Sequence, residues 1–306
     1  LSIVICAHND LDGRCAAAVA YRELKNRYDE IICIETDYNL KQPTFTKDMD
    51  KVYILDYSLK RDKFNELIDI VGRENVVHID HHKSVIEGLT EFSDLKGMRS
   101  IDYSGAMLTW LYFHPDAYNV IKPKKSIPCV VALVDDYDRW VMRYGDNTLH
   151  FYEYTQSIDL SDIKGNIWDY LLSLPDDEFK PLFKLGKDAK DIKYRELNQM
   201  IDEIGFPLPI MWEDKMYSCL MINSTHLRSA SQLGHIIYKE RNYDLAWIFY
   251  HKLDEVTGGI LKINQLRSVK IDVSRIAVKY GGGGHKNAAG FTERKTFTDF
   301  ITCGNV

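Results

Sequence analysis

Four places in the 306-residue chain put acids and imidazoles where apolar, strand-forming runs end. His8-Asn9-Asp10-Leu11-Asp12 follows IVICA, Asp56 follows VYIL, Asp80-His81-His82 follows VVHI, and Asp135-Asp136 follows VVALV. In open parallel sheets, ligands bind at the carboxyl ends of the strands. Neighbouring strands would therefore gather these carboxylates and imidazoles on one rim. That much negative charge cannot be packed together unless several carboxylate pKa values rise or cations bind. Two divalent ions about 3.5–4 Å apart, sharing one carboxylate, would neutralise it. A single Asp at a strand end is an ordinary cap or loop residue, and His78 alone reads as a core histidine. The weight lies in four such ends in one chain.

The elements that must position these groups alternate in type. LSIVICAH reads as a buried strand and DGRCAAAVAYRELKNRY as a helix with an Ala-rich face. EIICIET and KVYILDYS read as strands, RDKFNELIDIVGRE as a helix, and NVVHIDHH as a strand again. This alternation implies βαβ units and a mainly parallel sheet covered on both faces. SGAMLTWLYFHPDAY is a helix capped by Ser104, and PCVVALVDDYDRW is one more buried run ending in acids. From about residue 160 to 205 the chain turns charged and helical, with prolines as breaks. MYSCLMINS, YDLAWIFYHK and TGGILKINQLRS then read as strands, and SASQLGHIIYKER and KIDVSRIAVKYG as helices. The expected fold is α/β. A mainly parallel sheet flanked by helices spans 1–160, a helical linker 161–205, and a smaller α/β domain 206–306.

Composition bounds the function. With 45% hydrophobic and 27% charged residues the chain has globular composition, and no apolar run approaches the roughly 18–20 residues of a membrane span. Six scattered cysteines without a CxxC pair fit reduced thiols. No basic, apolar, small-residue signal peptide opens the chain. A cytoplasmic location is expected. The net charge of −6 argues against tight, non-specific binding of long duplex DNA. The segment from Leu261 onward is nevertheless basic, with eight Lys/Arg against three acids. That asymmetry suits an anionic substrate on one part and cations on the other. Near the end, Gly281 to Gly284 and His285 follow a helix. One glycine suffices for a helix cap. Four would let the backbone approach a phosphate closely and point N–H groups at it.

HNDLDG, the Asp of ILDYS, IDHHKS and the Asp of VALVDDYD resemble the four motifs of the DHH phosphoesterase superfamily, and GGGGHKNAAGF resembles the signature of its associated DHHA1 domain. The match runs in order from residue 8 to 291. The two-domain layout and DDYDRW are most similar to the nanoRNase, or oligoribonuclease, branch. The resemblance implies a dinuclear Mn²⁺ site. His8 and Asp10 would hold one ion, Asp12 and His81 the other, and Asp56 would bridge them. A motif-four acid would complete the ligands of the second ion; its spacing favours Asp135, with Asp136 and Asp138 close by. His82 would meet the substrate phosphate, and Asp80 would orient an imidazole. Mixed carboxylate and imidazole ligation suits Mn²⁺ better than Mg²⁺, with Zn²⁺ and Fe²⁺ as other occupants. In the second domain Arg267 and Ser268 match the family's Arg-Ser position as phosphate donors, beside Gly282, Gly283, Gly284 and His285.

The implied activity is hydrolysis of short single-stranded RNA or DNA to mononucleotides by a water that two metals activate. The alternatives are a 3′-phosphoadenosine 5′-phosphate phosphatase, a phosphodiesterase for linear or cyclic dinucleotides, and a metal-free nucleic-acid-binding module. The intact acids and imidazoles weigh against the last. No membrane partner is expected, and a homodimer stays open. Tyr57, Tyr103 and Tyr137 lie near the motifs and could stack bases, but among nineteen tyrosines each is more often packing.

Overall fold

β-Branched runs explain the first sheet. Ser2–His8 (β1), Glu30–Thr36 (β2), Lys51–Leu55 (β3) and Val76–Ile79 (β4) pair in the order β2-β1-β3-β4, every pair parallel. In this computed structural model, residues 1–38, 41–118, 127–224, 229–253 and 260–295 are described. The chain divides into two units, Leu1–Asp191 and Ile192–Val306.

In the first unit, Leu11–Leu24 (α1) connects β1 to β2, and Arg61–Val71 (α2) connects β3 to β4. Residues of β1 alternate between two cores. Ile3, Ile5 and Ala7 join the Ala-rich face of α1. Val4 and Cys6 join Phe64 and Leu67 of α2. A strand covered on both faces reads as a continuous apolar run, as IVICA does. Lys83–Gly88 (α3) follows β4, and Gly105–Phe113 (α4) begins at the Ser104 cap, whose hydroxyl accepts the Met107 N–H.

VVALVDD is not a strand. Cys129–Asp138 forms a helix, α5, after Pro128, and its Val130, Val131, Leu133 and Val134 lie in the core with α1 and α4. The apolar run is as long as a buried strand and carries no period that tells the two apart; packing against α1 and α4 decided the outcome. Asp146–Thr155 (α6) and Asn166–Ser173 (α7) complete the packing. Trp168, Leu171 and Leu172 of α7 are buried in this same core, and Trp168 Nε1 donates to the Leu160 carbonyl at 3.0 Å. The stretch from 161 to 191 thus packs as part of the first unit. The long helix Lys180–Ile204 (α8) carries the boundary.

The second unit contains Phe206–Pro207 (β5), a hairpin of Ile210–Trp212 (β6) and Lys215–Tyr217 (β7), and Cys219–Asn223 (β8). MYSCLMINS is therefore divided at Ser218. Ala230–His235 (α9), Leu245–Leu253 (β9), Ile260–Arg267 (β10), Val273–Lys279 (α10), Gly283–Gly284 (β11) and Ala288–Lys295 (β12) follow. The sheet order is β11-β12-β10-β9-β8-β5. β8 and β9 run parallel, and the other pairs antiparallel. Leu220, Ile222, Ala246 and Ile248 face α9, while Cys219, Met221, Leu266 and Ala289 face α10. Both units are α/β. Residues 254–259 and 296–306, which include the start of TGGILKINQLRS, Cys303 and part of the basic segment, lie outside the described residues.

Candidate metal centre

The adjacent strands β1, β3 and β4 end together, and each delivers one motif. His8 closes β1. Asp56 follows β3 in the left-handed region at φ +50°, its N–H donating to the Ile79 carbonyl at 2.8 Å. Asp80, His81 and His82 follow β4. A left-handed Asp is uncommon, and such a conformation persists only where its surroundings hold it. Here α4 holds it. A Cβ on Gly105 would lie 2.5 Å from Asp56 Cβ, so only glycine lets the start of α4 close over the aspartate. Gly13 serves likewise in HNDLDG, where a Cβ would lie 2.3 Å from the His8 carbonyl oxygen.

Helix ends fix the remaining acids. Asp10 caps α1, accepting the Gly13 N–H at 2.9 Å, and its other oxygen lies 2.8 Å from His8 Nδ1. Asp12 accepts the N–H groups of Gly105 at 2.6 Å and Ala106 at 2.9 Å. Its charge thus sits at the positive end of α4. His81 Nε2 lies 3.1 Å from Asp56 Oδ1, 3.5 Å from Asp138 Oδ2 and 3.6 Å from Asp12 Oδ2. Asp56 Oδ2 lies 4.0 Å from His8 Nδ1.

In the first unit three groups have ligand-capable atoms within 4.8 Å of one another: His8-Asp10-Asp56, Asp12-His81-Asp138 and, through the Asp80–His82 contact, Asp56-Asp80-His82; the first two are the candidate ion sites. Asp56 turns one oxygen toward each. Asp80 stands behind them: its Oδ1 accepts the backbone N–H groups of His81 at 2.7 Å and His82 at 3.1 Å and lies 2.8 Å from His82 Nδ1. The imidazole it orients is therefore that of His82. His78 is buried under Phe64, with Nε2 3.6 Å from Asp80 Oδ2.

The motif-four acid that joins the cluster is Asp138. Asp135 Oδ1 accepts the Ser104 N–H at 2.7 Å and its Oδ2 faces Arg139 at 3.4 Å. Asp136 accepts the N–H groups of Arg143 and Tyr144 at 2.8 and 3.2 Å and the Thr148 hydroxyl. Both are committed to backbone and neighbours. The first acid after an apolar run would reach the rim on a strand; on α5 it is the last residue of the helix that does.

The electrostatics are those of a cation site. Burial, then the charges of Asp12, Asp10 and Asp138, push the Asp56 carboxyl well above the usual carboxylate range. Burial and then Asp12 and Asp10 do the same to Asp138. Burial works against a charged Asp10 as well, but His8 and the Gly13 N–H hold it below that range. His8, penalised by burial, is raised to about 9 by Asp10. Asp56 Oδ1 and Asp138 Oδ2 are buried oxygens with no hydrogen-bond donor. Buried, unsatisfied carboxylate oxygens facing one another beside two imidazoles fit divalent cations.

In the second unit the predicted phosphate contacts separate. Arg267 Nη1 donates to Gln265 Oε1 at 3.0 Å and to the Leu266 carbonyl at 2.9 Å, and its Nε faces Ser231 Oγ at 3.3 Å. Ser268 is fully buried. Its hydroxyl donates to the Asp244 carbonyl at 2.7 Å and accepts from Lys270 N and Ile271 N, each at 3.0 Å. A hydroxyl has one donor and two acceptor positions, so Ser268 is a turn anchor and not a phosphate donor. Gly281, at φ +77°, and Gly282 close α10: Gly281 N–H donates to the Val278 carbonyl and Gly282 N–H to that of Ala277. This is a Schellman end, and it takes the Gly282 N–H away from any ligand. Gly283 and Gly284 pair with Gly290 and Ala289, and His285 N–H donates to the Ala288 carbonyl at 2.7 Å.

Sequence reasoning passed over two features. The N–H groups of Gly105 and Ala106 hold Asp12, for which the helix start at Ser104-Gly105 was the available signal. Tyr38, after β2, has its ring 5.7 Å from His8 and 6.0 Å from His82; nothing in its spacing distinguished it. Tyr57, Tyr103 and Tyr137 are engaged within the protein. Tyr57 is fully buried, Tyr103 lies under Arg139, and Tyr137 stacks on Tyr152 at 3.7 Å.

No family model matches the sequence. The chain is 26% identical over 299 residues to an uncharacterized protein of Acanthamoeba polyphaga mimivirus, covering 91% of the chain and 64% of that protein's length. It is 25% identical over 305 residues to the oligoribonuclease NrnB of Bacillus subtilis, covering 93% of the chain and 71% of that protein. The structure of RecJ from Thermus thermophilus in complex with Mn²⁺ superposes with a TM-score of 0.51 at 14% identity, covering 99% of the chain and half of RecJ. The fold is that of RecJ, and the ordered motifs are similar to those of the DHH/DHHA1 phosphoesterase superfamily. Of the two sequence relatives, the one with a named activity is an oligoribonuclease, NrnB. Among the described residues, no helix is long and apolar enough to cross a membrane.

Proposed function

We propose that the protein is a metal-dependent phosphodiesterase that hydrolyses short oligonucleotides and releases mononucleotides. The observation that carries this reading is Asp56, buried at the end of β3 with one oxygen toward His8 and the other toward His81. His8, Asp10 and Asp56 would hold one divalent ion, and Asp12, His81, Asp138 and Asp56 a second. Imidazole ligands in both sets favour Mn²⁺. The ions would supply charge neutralisation and activation of the attacking water. The chain's own groups do the rest. Asp12 is aimed by the N–H groups of Gly105 and Ala106 at the start of α4. Asp80 fixes the His82 ring through Nδ1, presenting Nε2 as the proton donor to a phosphate oxygen. In the second unit Arg267, Gly283, Gly284 and His285 are the groups assigned to a further phosphate, with the Arg267 guanidinium already oriented by Gln265 and Ser231.

The test is turnover with Mn²⁺ of RNA of two, five and about twenty nucleotides, a cyclic dinucleotide and 3′-phosphoadenosine 5′-phosphate, with Asp56→Asn as the blank. Fastest turnover of the dinucleotide RNA is expected. Preference for 3′-phosphoadenosine 5′-phosphate or the cyclic dinucleotide would replace the oligonucleotide with a small nucleotide. No turnover above the blank would leave a binding module.

A further inference from the structure

We infer that Tyr38 is a nucleobase platform of this centre, a subsite for the base of the nucleotide whose phosphate is attacked; this rests on the phosphodiesterase reading. The ring combines exposure with fixation. Tyr38 is 49% exposed, yet its hydroxyl points inward and accepts the Ser58 N–H at 3.2 Å. Behind it lies the ring of Tyr57, centroids 4.8 Å apart at 34°. Tyr57 is itself fully buried and held by Gln42 Nε2, which donates to its hydroxyl at 3.3 Å. A surface tyrosine that only covered core would not need its hydroxyl anchored and a second aromatic ring beneath it.

Position supplies the ligand class. The Tyr38 ring is 5.7 Å from the ring of His8, a candidate metal ligand, and 6.0 Å edge-on from that of His82, the candidate phosphate contact. A phosphate reached by His82 carries its sugar and base within a few ångströms, and a fixed aromatic face offers that base a stacking partner. Stacking accepts any base, since every base has a π-face, and the anchored ring loses little rotamer freedom on binding.

Calorimetric binding separates this role from a structural one. The ligands are adenosine 5′-monophosphate and ribose 5-phosphate, which keeps sugar and phosphate and lacks the base. The proteins are the native chain, Tyr38→Leu and Tyr38→Trp. Alanine-scale losses for one stacked base correspond to about 5- to 150-fold. Tyr38→Leu is expected to weaken adenosine 5′-monophosphate by that factor more than it weakens ribose 5-phosphate, and Tyr38→Trp to recover most of the difference. Equal weakening of both ligands would make Tyr38 a structural support of His8 and His82, and so would a Leu variant that binds both normally; either overturns the inference. Dinucleotide turnover, measured in parallel, keeps the two readings apart. Base-dependent binding without turnover refutes the phosphodiesterase and leaves the platform standing.

Discussion

Replacing Asp56 by Asn tests whether its buried carboxylate serves cations or the fold. The substitution is nearly isosteric, and Asn tolerates the left-handed conformation that Asp56 adopts at φ +50°. It deletes a charge that burial and the neighbours Asp12, Asp10 and Asp138 disfavour. In chelator the variant should therefore be at least as stable as the native chain, because buried like charges cost stability when nothing neutralises them. Divalent ions reverse the order. At 100 times its dissociation constant, an ion that binds only the folded state adds about 2.7 kcal/mol. For a unit the size of Leu1–Asp191, each kcal/mol raises the melting temperature by roughly 2–4 °C. The native chain should gain about 5–11 °C on saturation with Mn²⁺, and Asp56→Asn much less. Thermal unfolding followed by circular dichroism, with and without Mn²⁺, reads both effects. If the variant melts well below the native chain in chelator, or keeps the full ion-induced rise, the carboxylate is a fold residue and the shared-ligand scheme fails.

Other expectations are narrower. Asp138→Asn should remove most of the Mn²⁺-induced rise in melting temperature while Asp135→Asn preserves most of it; the reverse ranking would return the motif-four role to Asp135. Gly105→Ala must displace Asp56 or the start of α4, so urea unfolding should show a loss on the order of 1–3 kcal/mol, and a neutral outcome would contradict the close approach at that helix start. Ser268→Ala strands the N–H groups of Lys270 and Ile271 and should cost about 1–3 kcal/mol in urea unfolding; unchanged stability with weakened phosphate binding would restore the phosphate role. Lys270 bonds Asp244 and, with Ser218, holds its carboxyl below the usual range. A depressed folded value contributes stability above the unfolded value of about 4, lost as pH falls through the folded one. Asp244→Asn should flatten the acid side of a stability–pH curve, and a curve unaltered below about pH 4 would show the pair to be inert.

β1, β3 and β4 were legible because each is a short apolar run that ends at an acid or imidazole, and once they are neighbours in a parallel sheet His8, Asp56 and Asp80 share one rim. α5 was not. The run Val130 to Val134, followed by two acids, satisfies a buried strand and a buried helix equally, and only packing against α1 and α4 separates them. The error carried straight to Asp135 and Asp136, since residues i and i+3 share a face on a helix while their strand positions do not. The glycine run misled differently. Its first two residues perform the commonplace task of ending α10, which composition cannot distinguish from phosphate binding. Tyr38 was invisible because a ring's neighbours across a sheet edge leave no local pattern.

Three of the acids in the centre belong to helix termini: Asp10 caps α1, Asp12 receives the first N–H groups of α4, and Asp138 closes α5. The second group therefore does not exist in any local segment; it comes into being only after residues 12, 81 and 138 have met. Completion of that group is expected late along the folding route, because contacts so distant in sequence pay a loop-closure cost that local ones do not. Ions arriving at a finished site cannot guide the chain toward it. Ions that bound only the completed structure would act as a latch, prolonging the native lifetime while leaving the rate of refolding nearly unchanged.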